Sequence, residues 1–194
     1  MKRGLILFKN KYRIESTRLK HWDYSNPGFY FITICSKNME NMFGEIINNK
    51  MILNKLGIIV KHCWRDLPNH YKNCILDSFI VMPNHFHGII QITGAIRDAS
   101  VEMIHESSLR ESPQRIQHES PDRKQRRKML LSKIIGRFKM QSSKKINMVN
   151  HAIYFHWQKS FYDHIVRTDD DLFRIREYIK NNPKNWDCDR NNKK

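Results

Sequence analysis

Two short stretches of this sequence hold the residue types that phosphate chemistry asks for. The first is VMPNHFHGII, residues 81–90, where two histidines stand one residue apart inside an apolar run. In a strand, residues i and i+2 share a face, so His85 and His87 project together while Phe86 goes into the core. Paired imidazoles on one sheet face make half of a metal site, although an isolated pair serves equally well as ordinary hydrogen-bonded histidines. Zinc wants further nitrogen or sulfur ligands, and Cys35, Cys63, Cys74 and Cys188 are not spaced to supply them. A site completed by one oxygen ligand, with water and phosphate filling the rest, suits Mg2+ or Mn2+.

The second stretch is EYIKNNP, residues 177–183. On a helix, Tyr178 and Asn182 are i and i+4 neighbours at one edge of the buried face. That sets a phenol one turn from an amide oxygen able to reach a metal; the plain alternative is a boundary tyrosine and a C-terminal asparagine cap. Asn182 precedes Pro183, which disfavours helical dihedrals, so a distorted last turn is expected and Pro183 ends the helix. Combined, the two stretches are the parts for cutting a phosphodiester with a tyrosine. Two histidines and an amide hold a divalent ion that polarises a non-bridging phosphate oxygen. The tyrosine hydroxyl attacks phosphorus and keeps the bond energy as a covalent link to DNA. Free tyrosine has a pKa near ~10, so it needs the metal's field or a base, and no base is identifiable in the sequence. Tyr162, in SFYDHIVR, is the rival nucleophile. Its neighbour Asp163 points to the opposite face, so Tyr162 is read as a packing or DNA-stacking residue and His164 as structural.

These groups need a scaffold, and the hydrophobic pattern outlines one. DYSNPG, residues 23–28, is a turn, and Phe29 to Cys35 reads as a core strand. Phe43 to Ile47 and Met51 to Leu53 form a hairpin around Asn48-Asn49. Asn54 caps a helix whose buried side is Leu56, Ile59, Val60 and Cys63, running to Pro68. Cys74 to Pro83 is a second long strand, and Phe86 to Ile92 returns beside it or extends it. Leu131, Ile134, Ile135 and Phe138 mark a middle helix, Phe161 to Val166 a further strand, and Thr168 caps a last helix buried through Leu172, Ile175 and Ile179. About five strands and three helices, with hairpins instead of βαβ alternation, indicate an α+β fold with an antiparallel sheet. A single domain is expected over residues 1–194, with a basic N-terminal arm (1–22) and a polar, flexible insertion (93–128).

Composition narrows the partner. There are 35 Lys+Arg against 19 Asp+Glu, a net charge of +16, which draws polyanions. Arg13 and Arg18 in the arm, Lys133, Arg137, Lys139 and Lys144 on the middle helix, and Arg167 are the candidate phosphate contacts. No segment approaches the ~20 apolar residues of a membrane span, and the basic start is a poor secretory signal, so no membrane partner and a cytoplasmic location are expected. The charge alone would also suit a basic structural protein.

The chain resembles the single-tyrosine HUH transposases, in the REP-associated tyrosine transposase group. The resemblance rests on DYSNPGFYFITIC, LDSFIVMPNHFHGII, FKMQSSKKIN, WQKSFYDHIVR and REYIKNNPKNW, which together span most of the chain. It implies a ferredoxin-like antiparallel sheet with helices packed on it, and cleavage and rejoining of single-stranded DNA at hairpins. By match, His85 and His87 would be metal ligands with Asn182 as the third. Tyr178 would be the nucleophile that takes the 5′-phosphate and frees a 3′-hydroxyl. Both monomers and homodimers occur among such proteins. A domesticated hairpin-binding protein without turnover is the alternative.

Overall fold

The β-branched and aromatic run after Pro27 forms β1 (Gly28–Cys35) in the computed structural model, which describes residues 19, 22–94, 123–150, 154–189 and 191–192. Strands β2 (Gly44–Ile47) and β3 (Lys50–Leu53) make the expected hairpin. Asn48 and Asn49 take φ of 50° and 61° in its turn, the left-handed pair that a two-residue connection demands and asparagine tolerates. Helix α1 (Lys55–Arg65) opens on Asn54, whose side chain accepts from the amides of Leu56 and Gly57. Pro68 stops that helix but also starts another, α2 (Leu67–His70), because a missing N–H costs nothing in a first turn.

Strands β4 (Cys74–Val81) and β5 (His85–Ile92) pair as neighbours. Helix α3 (Arg123–Lys128) lies at the end of the expected insertion, where RKQRRK consists of good helix formers. Residues 95–122 of that insertion, and the arm with Arg13 and Arg18, fall outside the described residues. Helix α4 (Leu130–Val149), strand β6 (Tyr162–Val166) and helix α5 (Asp169–Asn181) complete the order. The described residues therefore hold one strand and two short helices more than the pattern indicated.

Strands β4, β5, β1 and β6 form one antiparallel sheet in that order, with β5 and β1 central. One face carries the large core: Tyr30, Ile32 and Ile34 of β1 and Phe86 and Ile90 of β5 pack with Trp64 of α1 and Ile135 and Phe138 of α4. Gly88 belongs to this face because Trp64 leaves no room; a Cβ there would lie 2.6 Å from the indole. The other face carries α5 over Phe31, Ile89 and Val166, with Leu172 and Ile179 buried beneath it. The α+β, ferredoxin-like expectation thus holds: an antiparallel sheet with helices on it. Among the described residues, no helix is long and apolar enough to cross a membrane.

Pro183 does not stop the chain from turning. Asn182 sits at φ −55°, ψ −42°, and its N–H bonds to the Ile179 carbonyl, so α5 tightens into a 3₁₀ segment, Asn182–Cys188. The expected distorted last turn is this 3₁₀ segment; Asn182 itself keeps helical dihedrals before Pro183 because both residues are buried, and packing outweighs a local preference.

Candidate active site

Alternation along β5 divides two functions within one strand. Phe86 faces the α1–α4 core, while His85 and His87, both 0% exposed, face the α5 side. Their Nε2 atoms lie 3.0 Å apart. Behind them the rings are held by neighbours: His85 Nδ1 lies 2.8 Å from Asn84 Oδ1, and His87 Nδ1 lies 2.8 Å from Thr33 Oγ1 across the β1–β5 pair.

The Asn84 amide is oriented without ambiguity. Its Nδ2 donates to the carbonyls of Met39 (3.1 Å) and Asn191 (2.7 Å), so its oxygen must be the atom facing His85. That oxygen can only accept, so His85 Nδ1 carries the proton and the Nε2 of neutral His85 presents a bare lone pair. Two bare nitrogens at this separation repel, and a proton or a cation must stand between them. With a proton, His87 Nε2–H donates to His85 and the Thr33 hydroxyl donates to His87 Nδ1. With a cation, the proton leaves, His87 takes the other tautomer and Thr33 accepts from it, as second-layer partners of metal-bound histidines do.

The donor set fits a cation. The two imidazole nitrogens, 3.0 Å apart, are close enough to share one small cation. Asp189 brings a carboxylate: its Oδ2 is 3.9 Å from His85 Nε2, and ligand atoms of His85, His87 and Asp189 all lie within 4.8 Å of one another. Asn182, only 1% exposed, donates through Nδ2 to Asp189 Oδ2 at 3.3 Å. Its own Oδ1 is buried without a hydrogen-bond partner. A buried amide oxygen left unpaired is costly unless something electropositive meets it. Cys35 stands opposite His85 in the strand register, but its thiol is not in that ligand group. Cys63, Cys74 and Cys188 are free thiols.

The last helix delivers the phenol. Tyr178 Oη lies 3.3 Å from His87 Nε2, and the tyrosine ring meets the edges of Phe31 and His87. The ring is 41% exposed, so a substrate can approach it. Helix α5 is held at its start and at its middle. Thr168 Oγ1 accepts from the Asp171 amide, and Asp171 spends its carboxylate on His164 (2.8 Å) instead of closing a capping box. Farther along, Arg176 grips Asp77 of β4 through two hydrogen bonds, Nε to Oδ1 at 3.0 Å and Nη2 to Oδ2 at 2.5 Å. The guanidinium holds the Asp77 carboxyl below the usual aspartate range. Asp77 sits where the β4–β5 register slips, between Leu76 and Phe79. Such an irregularity re-aims a side chain, here out of the sheet and toward α5. Beyond α5, Trp186 lies over the His85 ring with centroids 6.0 Å apart.

His85, His87, Tyr178 and Asn182 thus converge from two distant stretches. Asp189, Asn84 and Thr33 join them, and none was singled out from the sequence. Asp189 is one of two acids in a polar tail, and Thr33 reaches His87 only through strand pairing. The candidate phosphate contacts are placed elsewhere. Lys133, Arg137, Lys139 and Lys144 ride on α4, across the sheet from the histidines. Arg137 lies 3.0 Å from the ring nitrogens of His70, and Lys139 Nζ donates to the carbonyls of Gln158 (2.5 Å) and Lys159 (3.1 Å). Arg167, at the end of β6, is exposed.

No protein-family model matches the sequence. Among solved structures, the chain is similar to a REP-associated tyrosine transposase bound to a REP hairpin. The TM-score is 0.51 at 15% identity, covering 90% of this chain and 74% of that one. A crystal structure described as a transposase from Deinococcus radiodurans overlaps less closely, with a TM-score of 0.44 at 14% identity over 84% of this chain and 97% of the other. The architecture is that of a REP-associated tyrosine transposase. In sequence, the chain is 38% identical over 175 residues to an uncharacterized protein of Haemophilus influenzae, covering 90% of this chain and 91% of its relative. The two proteins belong to one family.

Proposed function

We propose that this protein is a DNA strand transferase that cleaves and rejoins single-stranded DNA at hairpins through a 5′-phosphotyrosine link. The observation that carries the reading is the meeting of the Tyr178 hydroxyl with the buried His85–His87 pair. In support, the +16 charge suits a polyanion, and the neighbour of like fold was solved on a REP hairpin. Neither observation alone would assign a reaction.

In this reading His85, His87, Asp189 and Asn182 hold a divalent cation, Mg2+ or Mn2+ by the chemistry of the donors. When bound, that ion draws charge from a non-bridging phosphate oxygen and favours the ionised phenol. Tyr178 supplies the nucleophile: its oxygen forms a bond to phosphorus as the bond from phosphorus to the 3′-oxygen breaks. The phenol loses one proton and the departing 3′-oxygen gains one, so no proton accumulates. Reversal with another 3′-hydroxyl rejoins DNA and frees the tyrosine. Asn84 and Thr33 fix the imidazoles, and the Asp77–Arg176 clasp keeps the phenol over them. Arg167 and the arm's Arg13 and Arg18 are proposed phosphate contacts, as are Lys133, Arg137 and Lys144 for DNA that extends around the molecule. Lys139 is the weakest of these, its ammonium being committed to backbone carbonyls.

Incubation with end-labelled single-stranded hairpin DNA and Mn2+ or Mg2+ tests this reading. A covalent protein–DNA adduct is expected, absent from Tyr178→Phe and released with a 3′-hydroxyl on the free fragment. An adduct that persists in Tyr178→Phe removes the nucleophile assignment. Hairpin binding without cleavage under any divalent ion identifies the domesticated binder instead.

A further inference from the structure

We propose that Tyr162 is the stacking platform for an unpaired base beside the scissile phosphate; this rests on the reading of His85, His87 and Tyr178 given above. The register places Tyr162 in the row that holds the histidines: Ile80 pairs with His87, His87 with Thr33, and Thr33 with Tyr162. All four side chains lie on the α5 face. Two strand spacings of about 4.8 Å set the Tyr162 backbone about 10 Å from that of His87, within reach of a base adjoining a phosphate held at the histidines.

Among the described residues, two sides of the histidine pair are closed to a nucleic acid strand. Toward β4 the sheet is covered by α5, held down through Asp77 and Arg176. Past His85 the way is closed by Trp186 and Asp189. A third direction runs over Thr33 to β6, the edge strand of the sheet. There Tyr162 presents a large aromatic surface, 39% exposed among the described residues.

Tyr162 lines a cleft of about 240 Å³ along that edge, with Asp163, His164, Arg167 and Asp171. Asp163 points to the opposite face of the strand and Asp171 is bound to His164, so the exposed groups beside the ring are His164 and Arg167, the latter placed to meet the backbone. An edge strand also offers unpaired backbone groups. Stacking on an aromatic ring is indifferent to base identity, so this subsite adds affinity and register without dictating sequence.

The test uses a stem-loop oligonucleotide with a single-stranded tail, carrying 2-aminopurine or an abasic site at successive tail positions. Measurements are made by titration on intact protein in the Tyr178→Phe background, so nothing depends on cleavage. At one position next to the stem, quenching of 2-aminopurine is expected, kept in Tyr162→Phe and lost in Tyr162→Ala. Binding of that DNA by Tyr162→Ala should weaken on the order of tenfold. With the abasic site at that position, the Ala and Phe variants should bind equally. Equal quenching and affinity for Tyr162→Ala and Tyr162→Phe at every position would overturn the proposal. Because Tyr162 is exposed, its substitutions leave the core intact, which an unchanged melting temperature verifies. The two readings fail separately: a Tyr162-dependent quench without any covalent adduct removes the strand-transfer reading and keeps the platform. A normal adduct with an unaltered quench in Tyr162→Ala does the reverse.

Discussion

The two faces of the sheet use the same strands for different ends. On the α1–α4 face, Phe86, Trp64 and Phe138 stack around one another with ring centroids 4.4–5.2 Å apart, and polar groups there are scattered, such as the Trp64 indole N–H, buried without a hydrogen-bond partner, and Ser142, which accepts from the Trp157 indole. The α5 face is apolar only at one end, around Phe31, Ile89 and Leu172. At its other end the buried groups are His85, His87, Thr33, Asn84 and Asn182. Packing there is exchanged for polar groups arranged around a point, one of which, Asn182 Oδ1, has no hydrogen-bond partner. The lesson is that the mostly apolar face carries the one that holds a polar cluster. A core packed so closely tolerates a polar cluster next door that contributes little to folding.

Adjacent residues of β5 test that contrast most sharply. Tyr178→Phe should abolish adduct formation while leaving the melting temperature unchanged, as the ring contacts with Phe31 and His87 survive; this is the largest functional effect expected. Phe86→Ala should cost about 3–5 kcal/mol in denaturant unfolding, through lost burial and a cavity against Trp64 and Phe138. His85→Ala, one residue away, should cost only about 1 kcal/mol of folding stability, mostly from stranding the Asn84 oxygen. It should nonetheless abolish Mn2+ binding measured by titration calorimetry. If His85→Ala unfolds the protein as severely as Phe86→Ala, the division between the faces is wrong.

Asp189→Asn keeps the shape but removes a charge beside His85. A drop of about tenfold or more in divalent-ion affinity is expected, with unchanged affinity for hairpin DNA in EDTA. Arg176→Ala frees α5 from β4 and should reduce the rate of adduct formation several-fold more than it reduces DNA binding. The double variant Asp77→Arg with Arg176→Asp should restore part of that loss. The smallest effect is a pH dependence. Asp77 titrates below the usual aspartate range because Arg176 stabilises its ionised form. The clasp is therefore fully present above the unfolded aspartate pKa and lost as pH falls through the lower folded value. In wild type, stability should decline slightly faster below about pH 4 than in Asp77→Asn, as followed by thermal melting.

Much of this architecture was legible before any coordinates. Period-two alternation put His85 and His87 on one face with Phe86 on the other, and the Asn48-Asn49 turn and the Asn54 and Thr168 caps fell where their side-chain chemistry placed them. Local rules succeeded where the deciding contact lies within a few residues. They foresaw the distorted turn at Pro183 but not that buried Asn182 keeps helical dihedrals there, nor that Pro68 begins a helix as well as ending one.

By itself, then, the sequence determined which side chains share a face, where the last helix starts, and that the molecule seeks an anion. Only the tertiary structure decided that the His85–His87 pair and Tyr178, 91 residues apart between His87 and Tyr178, meet at 3.3 Å, and that Asp189 and Thr33 complete their surroundings. The physical reason is range. Hydrophobic period and capping act through neighbours along the chain, whereas the site is assembled by strand register and by the Asp77–Arg176 contact, both of which couple residues far apart in sequence.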